Sequence, residues 1–316
     1  MASKLADHIA DFIKYKRKIG YDYKTGERYL NHYLSFMSKH YSQIELPEKT
    51  STEEFLSTYS NKPGSLYNAM APLRELSKFL SKTGYPDTYQ IPSKQMPKMV
   101  HEAPYFLTED EIASFFSKCR DIYKEEADTY RRLVVPAIMI LLYACGLRPK
   151  EARVLPRECV HLCEGYIDVL QSKGPKSRRL FISEELVRYL QKFDCAMNEV
   201  SPDRKYFFSN SKGKPYSVAF YQYNYNRIWK KAFPEWVGTA PKLYSFRHHF
   251  AWANINKWAT EGTDVNAMLP YLMRYMGHNC IKHTLYYFHF VPDFYQNYTD
   301  LANKMSDRLP EVRENE

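Results

Sequence analysis

Residues 131–151, RRLVVPAIMILLYACGLRPKE, join an apolar run to a short charged motif. The apolar run extends to Ala144 and predicts a helix buried in a hydrophobic core, in spite of the Pro136 within it. Gly146 is placed to end this helix in a left-handed cap, because glycine adopts a positive φ at little steric cost. Arg148 and the motif around it therefore come just after the end of a core helix.

The sequence upstream predicts a helical N-terminal domain over residues 1–89. Apolar residues at helical spacing indicate four helices. Ser51 and Glu54 have the spacing of a capping box that would open the third helix, and Gly84 is placed to end the fourth. Residues 90–104 contain three Pro and show no periodicity, which predicts a linker without regular structure.

A second, larger domain is predicted over residues 105–305. Its first helix opens at a capping box, Thr108 with Glu111. Two strand-like runs, 166–170 and 179–182, flank a turn rich in Lys, Gly and Pro, and they predict a β-hairpin with a basic tip. The expected fold is therefore mainly α: a helical N-terminal domain and a mixed α/β domain that is mostly helical with a small β-sheet.

Composition narrows the classes of protein. The chain has 316 residues, of which 44% are hydrophobic and 26% charged, as in globular proteins rather than disordered ones. The formal net charge of +9 favours a polyanionic partner, and nucleic acid is the first candidate. An ordinary basic soluble protein is the alternative that charge alone leaves open.

Neither a membrane anchor nor a metal centre is predicted. The apolar run 138–142 is far too short to span a bilayer, and the N-terminus lacks the apolar core of a secretory signal. The six Cys form no CxxC pair, and although Cys159 and Cys163 flank His161, no second ligand pair follows at zinc-site spacing. We therefore expect reduced thiols in a cytoplasmic protein that needs no metal and no other cofactor.

Four short patterns carry the candidate chemistry. In chain order they are Gly146-Leu147-Arg148-Pro149-Lys150-Glu151, then Lys173 in the predicted hairpin, then Tyr244-Ser245-Phe246-Arg247-His248, and finally Gly277-His278 with Tyr287 nine positions after His278. In this order they resemble the tyrosine recombinase family, also called the phage-integrase family. Its members typically show Gly-Leu-Arg-x-x-Glu, a hairpin Lys, His-x-x-Arg-His, Gly-His, and a Tyr nine residues after that last His. The resemblance covers nearly the whole chain.

The resemblance implies a site-specific recombinase that cuts and rejoins DNA. Tyr287 would attack the scissile phosphate to give a 3′-phosphotyrosine and a free 5′-hydroxyl, and the covalent link would keep the bond energy without ATP or a metal. Arg148 and Arg247 would clamp the phosphate, since a planar guanidinium meets phosphate oxygens bidentately. Lys173 would protonate the leaving oxygen, and His278 would hydrogen-bond the phosphate or assist proton transfer.

Two of these assignments have neighbours that compete with them. Tyr286 adjoins the expected nucleophile, but the nine-residue offset from the motif His selects the second tyrosine. Lys176, Arg178 and Arg179 lie close to the expected general acid and could serve instead. The family's Lys precedes the Gly of this turn, which selects Lys173.

One position departs from the family pattern. Tyr244 stands where the family usually has His. A phenol donates a hydrogen bond to phosphate but does not act as a base near neutral pH as an imidazole does, so proton removal from the nucleophile comes into question. Glu151, one helical turn beyond Arg148, is expected to orient that arginine or a neighbour. His248 matches a common family His that need not touch the phosphate.

By resemblance, the two domains would close around double-stranded DNA, with phosphate contacts for affinity and base contacts for the choice of site. We expect a monomer when the protein is free and a homo-tetramer on paired recombination sites. Residues 291–305 would dock on a neighbouring subunit, and residues 306–316 would be a frayed, flexible tail. A need for helper proteins stays open.

Two other functions compete with recombination. A type IB topoisomerase-like enzyme would nick and close DNA with the same residues but without strand exchange. A DNA-binding accessory recombinase would have lost catalysis, with Tyr244 as the first sign. Among recombinases, the altered Tyr244 favours a mobile-element integrase or transposase over a housekeeping enzyme that resolves chromosome dimers.

Overall fold

The computed structural model describes residues 4–97, 104–170, 177–278 and 280–288. The predicted hairpin tip, with Lys173 and Lys176, and the chain after residue 288 lie outside these ranges. The chain divides into two compact units, Met1–Glu102 and Ala103–Glu316, and each has hydrophobic core residues of its own.

The N-terminal unit packs its helices around one core. Its helices are α1 (Lys4–Lys18), α2 (Lys24–His40), α3 (Lys49–Ser57) and α4 (Pro63–Lys82). Apolar side chains at helical spacing are buried together, among them Leu5 and Ile9 of α1 and Leu73 and Leu76 of α4. The predicted helices are therefore present, because each buries an apolar stripe against the others.

The predicted capping box at Ser51 is wrong. α3 begins at Lys49, and Glu48 occupies the N-cap position without a side-chain cap. Ser51 lies inside the helix and is buried, and its hydroxyl donates to the Glu48 carbonyl at 3.4 Å. The next residue, Thr52, is buried too and shares a 3.1 Å hydrogen bond with the hydroxyl of Tyr33. Tertiary packing of these two side chains outweighs the local capping preference.

The expected linker is not irregular throughout. Ile91 is buried in the core of the N-terminal unit, and its carbonyl accepts from Nε of Arg74 at 2.8 Å. Ser93–Gln95 form a 3-10 turn directly afterwards. Burial of one apolar side chain and one backbone hydrogen bond therefore order the start of a segment that shows no periodicity.

The C-terminal unit is mostly helical with a small antiparallel sheet in strand order β1-β2-β3. Its elements are α5 (Glu109–Lys124), α6 (Thr129–Cys145), α7 (Pro149–Arg153), β1 (Val160–His161), β2 (Tyr166–Val169), β3 (Arg178–Phe181), α8 (Glu184–Val200), α9 (Val218–Ala232), α10 (Ser245–Thr260), α11 (Val265–Met276) and α12 (Lys282–Phe288). The mainly α fold with a small sheet is confirmed.

Helix α6 lies at the centre of this unit and packs against α5, α8 and α10. Its predicted burial and its tolerance of Pro136 are both confirmed. Gly146 ends it at φ 57°, and the Gly146 amide donates to the Leu142 carbonyl at 3.0 Å. The capping box that opens α5 is also present, with Thr108 and Glu111 bonding each other's backbone amides. Both helix ends thus lie where the sequence indicated.

The predicted hairpin strands pair as β2 and β3. Residues directly opposite each other include Asp168 and Arg179, which form a bidentate ion pair at 2.9 and 3.0 Å. The short strand β1 adds a third strand on the other side of β2. β2 ends at Val169 and β3 begins at Arg178, so Lys173 falls between the two strands in sequence.

Candidate active site

Arg148 is held at the start of α7, where the chain leaves the cap of α6. Its amide and its Nη1 both donate to the carboxylate of Glu151, at 3.0 and 2.6 Å. Its Nη2 donates to the carbonyl of Gly277 at 2.8 Å. About a third of the side chain stays accessible, at 31% exposure. Arg148 is therefore fixed on one side and open on the other.

Arg247 lies in the first turn of α10 and is only 1% exposed. Its Nη1 donates to the carbonyl of Gly146 and its Nη2 to that of Met276, both at 2.7 Å. These carbonyls are at the C-terminal ends of α6 and α11, where the helix dipole favours a cation. Burial lowers the pKa of Arg247 below its ordinary value, but a guanidinium stays charged in proteins.

Two arginines are thus anchored on neighbouring carbonyls. Met276 ends α11 and holds Arg247, while Gly277 caps α11 and holds Arg148. Gly277 adopts φ 65°, a left-handed conformation that suits glycine. The result is a cluster of positive charge at the place where α6, α7, α10 and α11 meet.

Tyr287 lies on α12 and is 4% exposed. Its hydroxyl is 3.0 Å from Nδ1 of His248, a residue of α10. Burial, opposed in part by the charge of Arg247, raises the pKa of Tyr287 to about 12. Burial, reinforced by the same charge, lowers the pKa of His248 to about 4. At neutral pH the phenol is therefore protonated and the imidazole uncharged, and the two groups share one hydrogen bond whose donor is set by which ring nitrogen carries the proton.

His278 follows the cap of α11 and lies close to the same tyrosine. Its Nδ1 is 2.8 Å from the hydroxyl of Thr284, and its ring centroid is 6.4 Å from that of Tyr287. Burial and the charges of Arg247 and Arg148 lower the pKa of His278 to about 3. His278 is therefore a neutral hydrogen-bonding group at physiological pH.

Tyr244 immediately precedes α10 and is 38% exposed. Its ring centroid is 5.0 Å from that of His248, and the two rings are tilted by 66°. The residue that replaces the usual family His therefore lies beside the imidazole that contacts Tyr287.

The structure brings five of the six predicted catalytic residues into one cluster: Arg148, Tyr244, Arg247, His278 and Tyr287. The sixth, Lys173, lies outside the described residues. Tyr286 is more exposed than its neighbour, at 37% against 4%.

The arginines weighed as substitutes for Lys173 are engaged elsewhere. Arg178 is 9% exposed and forms a bidentate pair with Glu151, at 3.1 and 2.8 Å. Arg179 pairs with Asp168 across the sheet and stacks over the ring of Tyr166 at 3.8 Å. Neither side chain is free to act as a general acid in this arrangement.

Sequence reasoning missed three contacts of the cluster. It left His248 without a role, it did not single out Thr284, and it did not place Arg178 against Glu151. Thr284 is fully buried and Arg178 is in a strand that looks ordinary in sequence, so only the packing of α12 and β3 reveals them.

The sequence model of the phage integrase family matches residues 105–292, a range that contains the whole cluster. The chain belongs to the phage integrase family. It is an enzyme, a site-specific DNA recombinase of the tyrosine type, which cleaves and rejoins DNA.

Two curated relatives of this recombinase align over most of its length. The putative integrase/recombinase y4rE of Sinorhizobium fredii is 25% identical over 289 residues, 90% of this chain and 91% of that protein. The tyrosine recombinase XerD of Rhizobium meliloti is 25% identical over 249 residues, 77% of this chain and 76% of that protein.

Solved structures share the fold of this recombinase. The XerH site-specific recombinase bound to a palindromic difH substrate, in a post-cleavage complex, is 19% identical with a TM-score of 0.65 and covers 88% of this chain and 79% of its own. A lambda integrase tetramer bound to a Holliday junction is 16% identical with a TM-score of 0.62 and covers 99% of this chain and 80% of its own. The Tn1549 transposon integrase in complex with transposon right end DNA is 16% identical with a TM-score of 0.60 and covers 89% and 94%.

Within the described ranges, no helix is both long and apolar enough to cross a membrane. The same part of the chain contains no group of three or more His, Cys, Asp or Glu that could hold a metal ion.

Proposed function

We propose that Tyr287 is the nucleophile of this recombinase and that Arg148 and Arg247 bind the scissile phosphate. The observation that carries the proposal is the pair of hydrogen bonds from these arginines to the neighbouring carbonyls of Gly277 and Met276, both 2.7–2.8 Å long. They fix two guanidinium groups next to a buried tyrosine. Such preorganised positive charge is what a phosphoryl-transfer transition state requires.

In the proposed reaction, the Tyr287 oxygen bonds to phosphorus as the bond from phosphorus to the 5′-oxygen breaks. The products are a 3′-phosphotyrosine and a free 5′-hydroxyl. The developing charge on the non-bridging oxygens is met by the two arginines, with His278 as a neutral hydrogen-bond donor through its other ring nitrogen. Lys173 supplies the proton to the 5′-oxygen. Attack of that hydroxyl on the phosphotyrosine rejoins DNA and restores the phenol.

His248 is the proposed acceptor of the phenolic proton. It is uncharged at neutral pH, and its Nδ1 lies 3.0 Å from the Tyr287 hydroxyl. We assign the imidazole proton to Nε2, which leaves Nδ1 to accept from that hydroxyl. The two pKa values, about 12 for the phenol and about 4 for the imidazole, are far apart, so the proton does not move before attack begins. Bond formation to phosphorus and the arginine charges must lower the phenol's pKa as the proton transfers. In the proposed mechanism His248 therefore acts as the base in a chain where Tyr244 replaces the family His.

The proposed substrate is double-stranded DNA, bound by a monomer at each half-site and exchanged within a homo-tetramer. The net charge of +9 supports an anionic partner, and the lambda integrase neighbour was solved as a tetramer on a Holliday junction. Movement of a mobile element is the proposed biological setting, with the Tn1549 transposon integrase among proteins of the same fold. The proposed location is the cytoplasm.

A covalent-trapping assay tests the nucleophile. Duplex fragments carry a nick beside the scissile phosphate, so that the short strand with the new 5′-hydroxyl diffuses away and the adduct accumulates. We expect the unaltered recombinase and Tyr286→Phe to form an adduct that survives denaturing gels, and Tyr287→Phe to form none while still binding the DNA. The adjacent Tyr286 is the matched control, because it removes the same hydroxyl one residue away.

Other results of this assay would redirect the assignment. An adduct from Tyr287→Phe would remove Tyr287 as nucleophile. Specific binding without an adduct from any variant would favour the accessory, non-catalytic protein. Plasmid relaxation without recombinant product would favour the topoisomerase-like nicking and closing activity.

A further inference from the structure

We infer that Arg178 is a positioning residue that sets Arg148 for the phosphate through the carboxylate of Glu151. The inference deepens the proposed function and rests on it, since it assumes that Arg148 binds the scissile phosphate. Arg178 itself is assigned no phosphate contact, because each of its three guanidinium nitrogens donates to a protein acceptor, whereas the buried Nε of Arg247 has no partner among the described residues.

Arg178 is held by three hydrogen bonds to two other residues. Its Nη1 and Nη2 donate to the two oxygens of Glu151 at 3.1 and 2.8 Å, and its Nε donates to the Tyr275 carbonyl at 2.7 Å. Arg178 is the first residue of β3, so these hydrogen bonds connect the sheet to α7 and to the last turn of α11. A planar fork of this kind fixes a carboxylate more firmly than a single charge contact does.

Glu151 is shared between the two arginines. Its Oε1 accepts from Nη1 of both Arg148 and Arg178, and its Oε2 accepts from Nη2 of Arg178 and from the Arg148 amide. Burial alone would raise the pKa of Glu151, but the hydrogen bonds and charges of Arg178 and Arg148 outweigh it and lower that pKa, so the carboxylate is ionised at neutral pH.

The charge balance of this trio matters for the reaction. Two guanidinium groups and one carboxylate leave a net positive charge, whereas Arg148 and Glu151 alone would cancel each other. Loss of Arg178 would let Glu151 rotate and neutralise Arg148 at the moment when the phosphate needs its charge. Arg178 therefore preserves the positive charge that Arg148 presents to the phosphate, as well as the position of Arg148.

Gly277 leaves the space that Arg178 occupies. A Cβ at this residue would lie 2.9 Å from Nη1 of Arg178, so a side chain there would push Arg178 away. The carbonyl of the same glycine holds Arg148. The Gly of the Gly-His motif therefore leaves room for Arg178 while it anchors Arg148. Because Arg178 is the first residue of β3, its contacts also link the start of that strand to Arg148 through Glu151.

The test compares single-turnover cleavage of two substrates by Arg178→Gln and Arg178→Lys. One substrate has the ordinary scissile phosphate. The other has a methylphosphonate there, in which a methyl group replaces one non-bridging oxygen and removes the negative charge. We expect the Gln variant to lose about 10–100-fold on the phosphate, as for other residues that orient a reacting group, and much less on the uncharged substrate. The Lys variant keeps the positive charge but cannot form the bidentate contact with Glu151. Its cleavage rate on the phosphate should therefore lie between those of the unaltered protein and the Gln variant.

Arg157→Lys and Arg157→Gln are the matched controls. Arg157 forms the same kind of fork with Asp194, at 3.3 and 3.2 Å, and donates to the Pro202 carbonyl at 3.0 Å. Asp194 also pairs with Arg204, so this second trio has the same composition without touching the cluster. Its loss should change cleavage of both substrates by the same factor, since it acts only on folding.

The Arg148→Ala variant, measured in parallel, distinguishes the proposed role of Arg148 from the positioning role of Arg178. If its loss is not relieved by the methylphosphonate, the proposed role of Arg148 fails. If its loss is relieved but both Arg178 variants lose equally on the two substrates, the positioning role of Arg178 is overturned. Circular dichroism and urea unfolding of each variant identify any that fails to fold, and the milder Lys variant then decides.

Discussion

At the residue scale, the proposed activation of Tyr287 as the nucleophile depends on its contact with His248. A phenol with a pKa of about 12 is almost wholly protonated at neutral pH. Its proton acceptor must therefore be uncharged and in contact, and His248 meets both conditions at 3.0 Å. The charge of Arg247 favours the phenolate of Tyr287, so in the proposed mechanism one arginine both binds the phosphate and assists activation of the nucleophile.

The first prediction concerns Tyr244. We expect Tyr244→Phe to reduce the single-turnover cleavage rate by about tenfold, because one hydrogen bond to a charged phosphate contributes about 1.5–3 kcal/mol and solvent recovers part of it. We expect Tyr244→His to retain cleavage, since imidazole restores a donor at the same position. The measurement is the rate of adduct formation on nicked DNA.

Tyr223→Phe is the control for that experiment. Tyr223 is a more exposed tyrosine of the same unit, at 62%, and lies on α9. It should leave the rate unchanged. An unchanged rate for Tyr244→Phe as well would remove Tyr244 from the active site.

Sequence alone identified the motif residues but could not describe their contacts. Arg148, Arg247, His278 and Tyr287 stood out because their order and spacing are those of a family pattern. The role of His248 depends on how α10 packs against α12, and the role of Arg178 depends on which turn of α7 faces β3. Such contacts join residues far apart in sequence, and no local pattern encodes them.

At the element scale, two helix C-termini hold the arginines that we propose to bind the phosphate. α6 and α11 both end in a glycine with positive φ, Gly146 at 57° and Gly277 at 65°. Each cap leaves carbonyls that accept from an arginine of another element. Glycine at these caps lets the helix end sharply while the last carbonyls stay available.

The second prediction concerns the cap of α6. Gly146→Ala would cost about 1–3 kcal/mol for the left-handed conformation, and overpacking would add about 1–3 kcal/mol. The new Cβ would lie 2.6 Å from the ring of Phe250. Because the Gly146 carbonyl anchors Arg247, cleavage should fall as well. Urea unfolding measures the first effect and adduct formation the second.

Gly213→Ala is the matched control for the cap. Gly213 has a similar φ of 65°, but a Cβ there would meet nothing within 4 Å. Gly213→Ala should lower the free energy of unfolding only through the left-handed backbone conformation, and it should leave cleavage unchanged. Equal losses of stability in the two variants would show that the contact with Phe250 is unimportant.

Elements were predictable where local rules and packing agree. α6 has an apolar run and a terminal glycine that indicate the same helix, and α5 opens at a capping box that is present. The third helix of the N-terminal unit was misplaced because Ser51 and Thr52 are drawn into the core, where burial outweighs capping. The order at Ile91 was missed for the same reason: one buried side chain gives no periodic signal.

At the scale of the whole molecule, the net charge of +9 and the two compact units suit a protein that binds a long polyanion. Phosphate contacts give an affinity that falls steeply with salt, and they do not depend on assembly. The proposed tetramer needs contacts between subunits in addition to the contacts with DNA. For those contacts the sequence offers residues 291–305, VPDFYQNYTDLANKM, in which Phe294, Tyr295, Tyr298 and Leu301 are apolar or aromatic.

The last prediction separates DNA binding from assembly. We expect the intact chain to sediment as a monomer without DNA and as a tetramer with two recombination sites. A chain that ends at residue 290 should bind one site, form the Tyr287 adduct on nicked DNA, and fail to assemble the tetramer. A chain that ends at residue 305, which lacks only the predicted frayed end, should behave like the intact protein. A tetramer of the chain that ends at residue 290 would disprove docking by the tail, because the apolar residues that the docking requires would all be gone.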